Sequence, residues 1–226
     1  ICQVEKDKYN KTIRFFDINY RLMEEEDQEG IFADFSSFLN FFDSSVEVEF
    51  NYINSIGENE ERKELINIKE TEDDFNEIRN EYRQMLLNQS SKGNNGLSKN
   101  MYLTFTIKAE DLKQAKSRLE RIESDILNNF RQMGVKGYVL DGEERLKVIH
   151  DILNPDDRFI FNFEDLKYSG LTTKEYIVPT SFNFSKPTYF KTGEVFAEVN
   201  FLQILASDIK DEMLSEFLEV EENMIV

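Results

Sequence analysis

A chain of 226 residues is long enough for one large domain or two small ones, and a core of that size buries roughly 70% of the surface its unfolded chain exposes. Its 40% hydrophobic content, with 13% aromatic residues and 20 Phe, belongs to a folded globular protein rather than a disordered acidic tail. A formal charge of −18 works against sequence-independent nucleic-acid binding and against anionic membrane surfaces, and suits solubility or a basic protein partner.

The single cysteine, Cys2, cannot form an internal disulfide, and there is neither a signal peptide nor an apolar run of about 18 residues. A soluble protein of the reducing cytoplasm is the expectation, and without a secretion signal the N-glycosylation patterns at Asn10, Asn88 and Asn183 are chance matches. The chain opens at Ile1 without Met and closes on Asn223, Met224, Ile225 and Val226, an apolar run that resembles a strand entered and not finished, so an excised piece is expected.

From Lys11 to Tyr20 aromatic and β-branched residues predict a strand, with Phe15 and Phe16 breaking simple alternation by a bulge or a two-sided strand. Ile31, Phe32, Phe35, Phe38, Leu39 and Phe42 then recur at helical spacing and predict an amphipathic helix buried along that face. Val46, Val48, Phe50 and Tyr52 alternate with Glu47, Glu49 and Asn51, a strand with one wet face. The polar stretch from Gly57 to Lys69, with Leu65, Ile66 and Ile68, is a loop or short edge strand.

Asp74 can cap a helix carrying Phe75, Ile78, Tyr82, Met85 and Leu86, which the turn-forming run Ser90, Ser91, Lys92, Gly93, Asn94, Asn95, Gly96 ends. Leu103, Phe105 and Ile107 alternate with Tyr102, Thr104 and Thr106 as the next strand. The longest helix holds Leu112, Ala115, Leu119, Ile122, Ile126, Phe130 and Met133, with Gly134 placed as its C-terminal cap. Val135 to Leu140 forms a strand, and Asp141 with Glu144 starts a helix of Leu146, Ile149 and Leu153 that stops near Asn154 and Pro155.

This order defines an α+β class, a ferredoxin-like split β-α-β module over 10–154 with an inserted helix between its second and third strands and an added helix at its end. A second, smaller α+β module follows over 155–226, cut short or completed by whatever comes after it. Its expected elements are strands at Phe159 to Phe163, Tyr176 to Phe184, Tyr189-Phe190 and Val195 to Phe201, a hairpin turn at Lys191, Thr192, Gly193 and Glu194, a helix with Ile209, Met213, Leu214 and Phe217, and a strand at Met224 to Val226.

No segment has the G-x-x-x-x-G-K-[ST] spacing of a phosphate loop, and Gly93 to Gly96 precedes a strand where a helix N-terminus would be needed. His150 is a lone helical histidine, expected at the surface or core edge, and Cys2 sits at an expectedly frayed terminus without a second cysteine or an activating partner. The acidic runs Glu24, Glu25, Glu26, Asp27 and Glu70, Glu72, Asp73, Asp74 precede helices, where carboxylates serve the dipole and the solvated face. No catalytic residue, cofactor site or metal site is therefore expected in this chain. Most aromatic strand residues belong to cores, but Phe182 with Phe184 and Tyr189 with Phe190 lie where a sheet face or edge stays open, and are the candidate protein-docking residues.

Five segments taken in order carry a resemblance: Thr12-Ile-Arg-Phe-Phe-Asp-Ile-Asn-Tyr20, Phe38-Leu-Asn-Phe-Phe-Asp-Ser-Ser-Val46, Lys92-Gly-Asn-Asn-Gly-Leu97, Arg118-Leu-Glu-Arg-Ile-Glu-Ser-Asp-Ile-Leu-Asn-Asn-Phe130 and Phe201-Leu-Gln-Ile-Leu-Ala206. Together they resemble the N-terminal region of the conjugative-transfer ATPases of the CagE/TrbE/VirB family of type IV secretion systems, in the form found in integrative elements of Gram-positive bacteria. The resemblance implies a RecA-like motor with Walker motifs beyond Val226, which takes ATP and magnesium, and a parent protein that self-associates at the inner face of the plasma membrane. It implies further that this piece contacts small inner-membrane channel subunits. From the residues themselves, the missing phosphate loop, the lack of a long apolar run and the charge of −18 lead to the expectation that this piece hydrolyses nothing, does not insert in the membrane and does not bind nucleic acid directly. The alternatives are a self-contained enzyme with an acidic site and an RRM-like nucleic-acid-binding module.

Overall fold

Aromatic and β-branched residues in the first fifteen positions build a hairpin, β1 (Cys2–Glu5) and β2 (Lys8–Phe15), paired antiparallel with Cys2 opposite Asn10. The computed structural model describes residues 1–18, 20–56, 68, 71, 73, 75–93, 97–201, 203, 205, 220 and 222–226. Further along, in chain order, come α1 (Glu25–Phe41), β3 (Val46–Ile56), α2 (Asn76–Gly93), β4 (Leu97–Lys108), α3 (Leu112–Gln132), β5 (Gly137–Val139), α4 (Gly142–Leu153), α5 (Phe163–Ser169), α6 (Thr173–Ile177), β6 (Phe182–Asn183), β7 (Phe190–Thr192), β8 (Val195–Ala197) and β9 (Met224–Ile225).

The larger sheet runs β1-β2-β4-β3-β9, and β5 shares with β1 the other edge of β2. Its inner four strands, β5-β2-β4-β3, stand in the order of a split β-α-β fold, with α2 inserted in what is otherwise a β3–β4 hairpin. The protein is therefore α+β with a curled, antiparallel sheet of ferredoxin-like type. Residue contacts separate two units, Ile1–Val48 with Thr104–Ser207 and Glu49–Leu103 with Asp208–Val226, whereas the change of sequence texture falls at Pro155.

In the first unit the core lies where α1 and α3 cover one face of β2 and β4. Ala115, Leu119, Ile122, Ile126 and Phe130 form the buried stripe of α3 at three- and four-residue spacing, and each large aliphatic side chain contributes roughly 1.5–3 kcal/mol. The same unit holds Ile13, Phe38, Phe105 and Ile107, all essentially inaccessible to water, and Phe38 meets Phe130 with ring centroids 5.3 Å apart. Asp111 caps the helix by accepting from the Gln114 N–H at 2.7 Å, and Gly134 ends it at φ 75°, a left-handed conformation that costs a residue with a Cβ more than glycine. At the end of β2 the two phenylalanines go to opposite faces: Phe15 tilts against Phe130 at 5.3 Å, while Phe16 meets Tyr138 at 6.1 Å under the Arg14 guanidinium.

The opposite face of β2 is buried but polar. Thr12 and Thr104 share a hydroxyl hydrogen bond of 2.9 Å, and Asn10 accepts from the Arg145 guanidinium of α4 at 2.7 Å. Asp141 and Glu144 make the expected reciprocal capping box at the start of α4. In the second unit, β9 adds to the edge of β3, Ile225 opposite Ile53, and Tyr52 and Val226 exchange both backbone hydrogen bonds.

Several expectations are corrected. The strand expected over Lys11 to Tyr20 occupies Lys8–Phe15, and Cys2 lies in a paired strand, not in a frayed end. Phe159 to Phe163 is not a strand: Asn162 caps the Glu164 N–H at 2.9 Å, Glu164 and Asp165 follow in the first turn, and Gly170 closes α5 at φ 70°. Tyr176 lies in α6, which a Thr172–Glu175 capping box begins, so only Phe182–Asn183 of the run to Phe184 is a strand. Helix α2 continues through Ser90, Ser91 and Lys92 to Gly93. The α1 face expected to be buried is mostly open: Phe38 is fully buried, but Phe32, Phe35 and Leu39 are exposed. The expectations for Gly57 to Asn67, for Asp74, for Asn94 to Gly96 and for the helix through Ile209, Met213, Leu214 and Phe217 lie outside the described residues.

Candidate docking surface

Residues 178–201 contain one short sheet, β6-β7-β8, in the first unit. Gly193 makes its tight turn at φ 57°, and Thr192 anchors it by donating its hydroxyl proton to the Leu153 carbonyl at the end of α4, 3.0 Å away. Register then decides which side chains share a face. Phe182 lies opposite Thr192, Phe190 opposite Ala197, and Lys191 opposite Phe196.

The four residues expected to dock a partner therefore do not form one patch. Phe182, Phe184 and Phe190 make a run of stacked rings on the face of Thr192, with centroids 5.8 and 5.3 Å apart. Tyr189 points the other way and meets Phe196 edge-on at 5.5 Å. Phe190 is half-buried, whereas Phe182, Phe184 and Tyr189 are exposed. Phe196, at 68% exposure, is the residue that sequence reasoning missed. Its position opposite Lys191 across the Gly193 turn was the available signal. The Lys191 ammonium lies 5.7 Å from the Phe196 ring and 2.6 Å from the Glu194 carboxylate, which it holds below the usual carboxylate range.

The same unit leaves further large apolar side chains in water: Ile160, Tyr168, Val199, Phe201 and Leu205. A second aromatic cluster forms in the same unit, where Phe161 touches Phe159, Phe163 and Tyr176, and Phe159 in turn packs on His150 at 5.1 Å. His150 is thus a buried residue, beyond the surface or core-edge position expected for it, and its Nδ1 lies 3.4 Å from Asp151 Oδ1.

Three of the carboxylates serve local structure. Asp43 accepts from the Ser45 hydroxyl and amide, Asp73 from Arg79 and the Phe75 amide, and Glu175 from the Thr172 hydroxyl and amide, and all three are held below their ordinary values by those bonds. Glu123 pairs with Lys11 at 2.5 Å. Among the described residues no group of three or more His, Cys, Asp or Glu is placed to hold a metal ion, and no helix is long and apolar enough to cross a membrane. No protein-family model matches the chain, and a search of curated proteins finds none that matches it.

Proposed function

We propose that this chain is a non-catalytic assembly and docking region of a conjugative-transfer ATPase of the CagE/TrbE/VirB kind. In this reading it engages small inner-membrane channel subunits at the cytoplasmic face of the plasma membrane, and the ATP- and magnesium-dependent motor belongs to another part of the parent. The ordered succession of five resembling segments supports the family. The observation that carries docking is the aromatic sheet: Phe182, Phe184, Tyr189 and Phe196 are exposed on two faces of a three-stranded sheet whose central strand is tied to the end of α4 through Thr192. Solvated rings of this density are unusual on a monomer and typical of surfaces that a partner desolvates.

The test is co-purification of the chain with the small inner-membrane subunits of a transfer channel, for wild type and for Phe184→Ser with Phe196→Ser. Capture by wild type and loss in the variant is the expected result. Tight magnesium-dependent ATP binding by this chain, with no capture of channel subunits, would count against the reading.

A further inference from the structure

Helix α1 offers a second surface, remote in sequence from the aromatic sheet and different in charge. At 100° per residue its apolar positions cover about half its circumference, more than the core takes. Phe38 is packed against Phe42 and Phe130, with ring centroids 5.1 and 5.3 Å away, while Phe32, Phe35 and Leu39 remain exposed at i, i+3 and i+7 along one side. The same helix carries Glu25, Glu26, Asp27, Glu29 and Asp34 and not one Lys or Arg, and the sequence has none between Arg21 and Arg62.

We infer that this face of α1 docks a basic amphipathic helix of a partner protein, whose aliphatic residues cover Phe32, Phe35 and Leu39 and whose Lys or Arg side chains reach Glu25 and Glu29, the two carboxylates that helical spacing sets beside that row. Spacing sets the shape of the occupant, because a row at i, i+3 and i+7 is the pattern in which one helix lies along another. Charge chooses among occupants. A second copy would set a helix with carboxylates and no cation against another of the same kind, and an anionic lipid surface would be repelled, whereas a cationic helix is attracted and held in register. The inference is independent of the family reading, since it needs no channel subunit.

The test is fluorescence anisotropy with a labelled peptide of about 18 residues, long enough to be helical, with Leu at i, i+3, i+4 and i+7 and Lys between them. The intact chain should bind it, added salt should weaken binding, and Phe32→Ser with Leu39→Ser should weaken it by about tenfold or more while the circular dichroism is unchanged. Phe196→Ser, on the hairpin, should leave it unchanged. Equal binding of a scrambled peptide of the same composition, equal binding of the peptide with Glu in place of Lys, or no effect of the α1 substitutions overturns the inference. So does sedimentation of the wild-type chain, but not the α1 variant, with phosphatidylcholine–phosphatidylserine vesicles.

Discussion

Replacing Phe38 by Ala separates the two sides of α1. The Phe38 ring is at 0% exposure, with Phe42, Phe130 and Phe35 centroids at 5.1, 5.3 and 6.5 Å, and it is the one fully buried side chain of that helix. Removing it gives up most of an aromatic side chain's buried area and opens a cavity between α1 and α3, which together cost about 3–5 kcal/mol. Phe32 is 66% exposed, so Phe32→Ala gives up about a third of such an area, leaves no cavity, and costs about 1 kcal/mol or less. Urea unfolding followed by circular dichroism measures both, the comparison resting on midpoints with the slope unchanged. Equal losses from the two substitutions would refute the division of α1 into a packed side and an open side, and the peptide-docking inference with it.

Gly134→Ala should cost about 1–2 kcal/mol in thermal unfolding, because φ 75° is unfavourable for an L residue even though no atom lies within 4 Å of the added Cβ. A double-mutant cycle on Lys11 and Glu123, whose side chains are 13% and 23% exposed, should give a coupling of about 1–3 kcal/mol, against near zero for the exposed Lys167–Glu164 pair. Asp43, Asp73, Glu175 and Glu194 all have folded values below their unfolded ones, so the unfolded chain takes up protons first on acidification. Their contribution is complete above the unfolded carboxylate range and is lost as pH falls below about 4, so the melting temperature should drop there, and less steeply for Asp73→Asn than for wild type.

The inner strands of the main sheet and α3 were legible because each has one dominant period and one apolar face. Leu103, Phe105 and Ile107 alternate with Tyr102, Thr104 and Thr106, which sets an apolar face against a more polar one, and the α3 stripe ends on a glycine that the helix needs. Misreadings came where aromatic content was taken as strand propensity. Phe161, Phe163 and Tyr176 favour strands in isolation, yet the caps at Asn162 and Thr172 and the left-handed Gly170 turn those segments into two short helices. Both caps stood in the sequence, three residues or fewer before their acidic partners. Periodicity likewise marks which side chains of α1 are apolar, but not whether another element arrives to cover them, and that depends on pairings far away in the chain. The aromatic sheet was legible as residues, while its division into two faces required the register of Lys191 against Phe196.

Hydrogen exchange of the chain with and without the reconstituted inner-membrane channel subunits tests the docking account most directly. The account predicts slowed exchange over residues 182–197, where β6, β7, β8 and the residues joining them hold Phe182, Phe184, Tyr189 and Phe196, with that protection lost in Phe184→Ser with Phe196→Ser. Unchanged exchange across those residues, under conditions where the subunits are bound elsewhere on the chain or not at all, would contradict it.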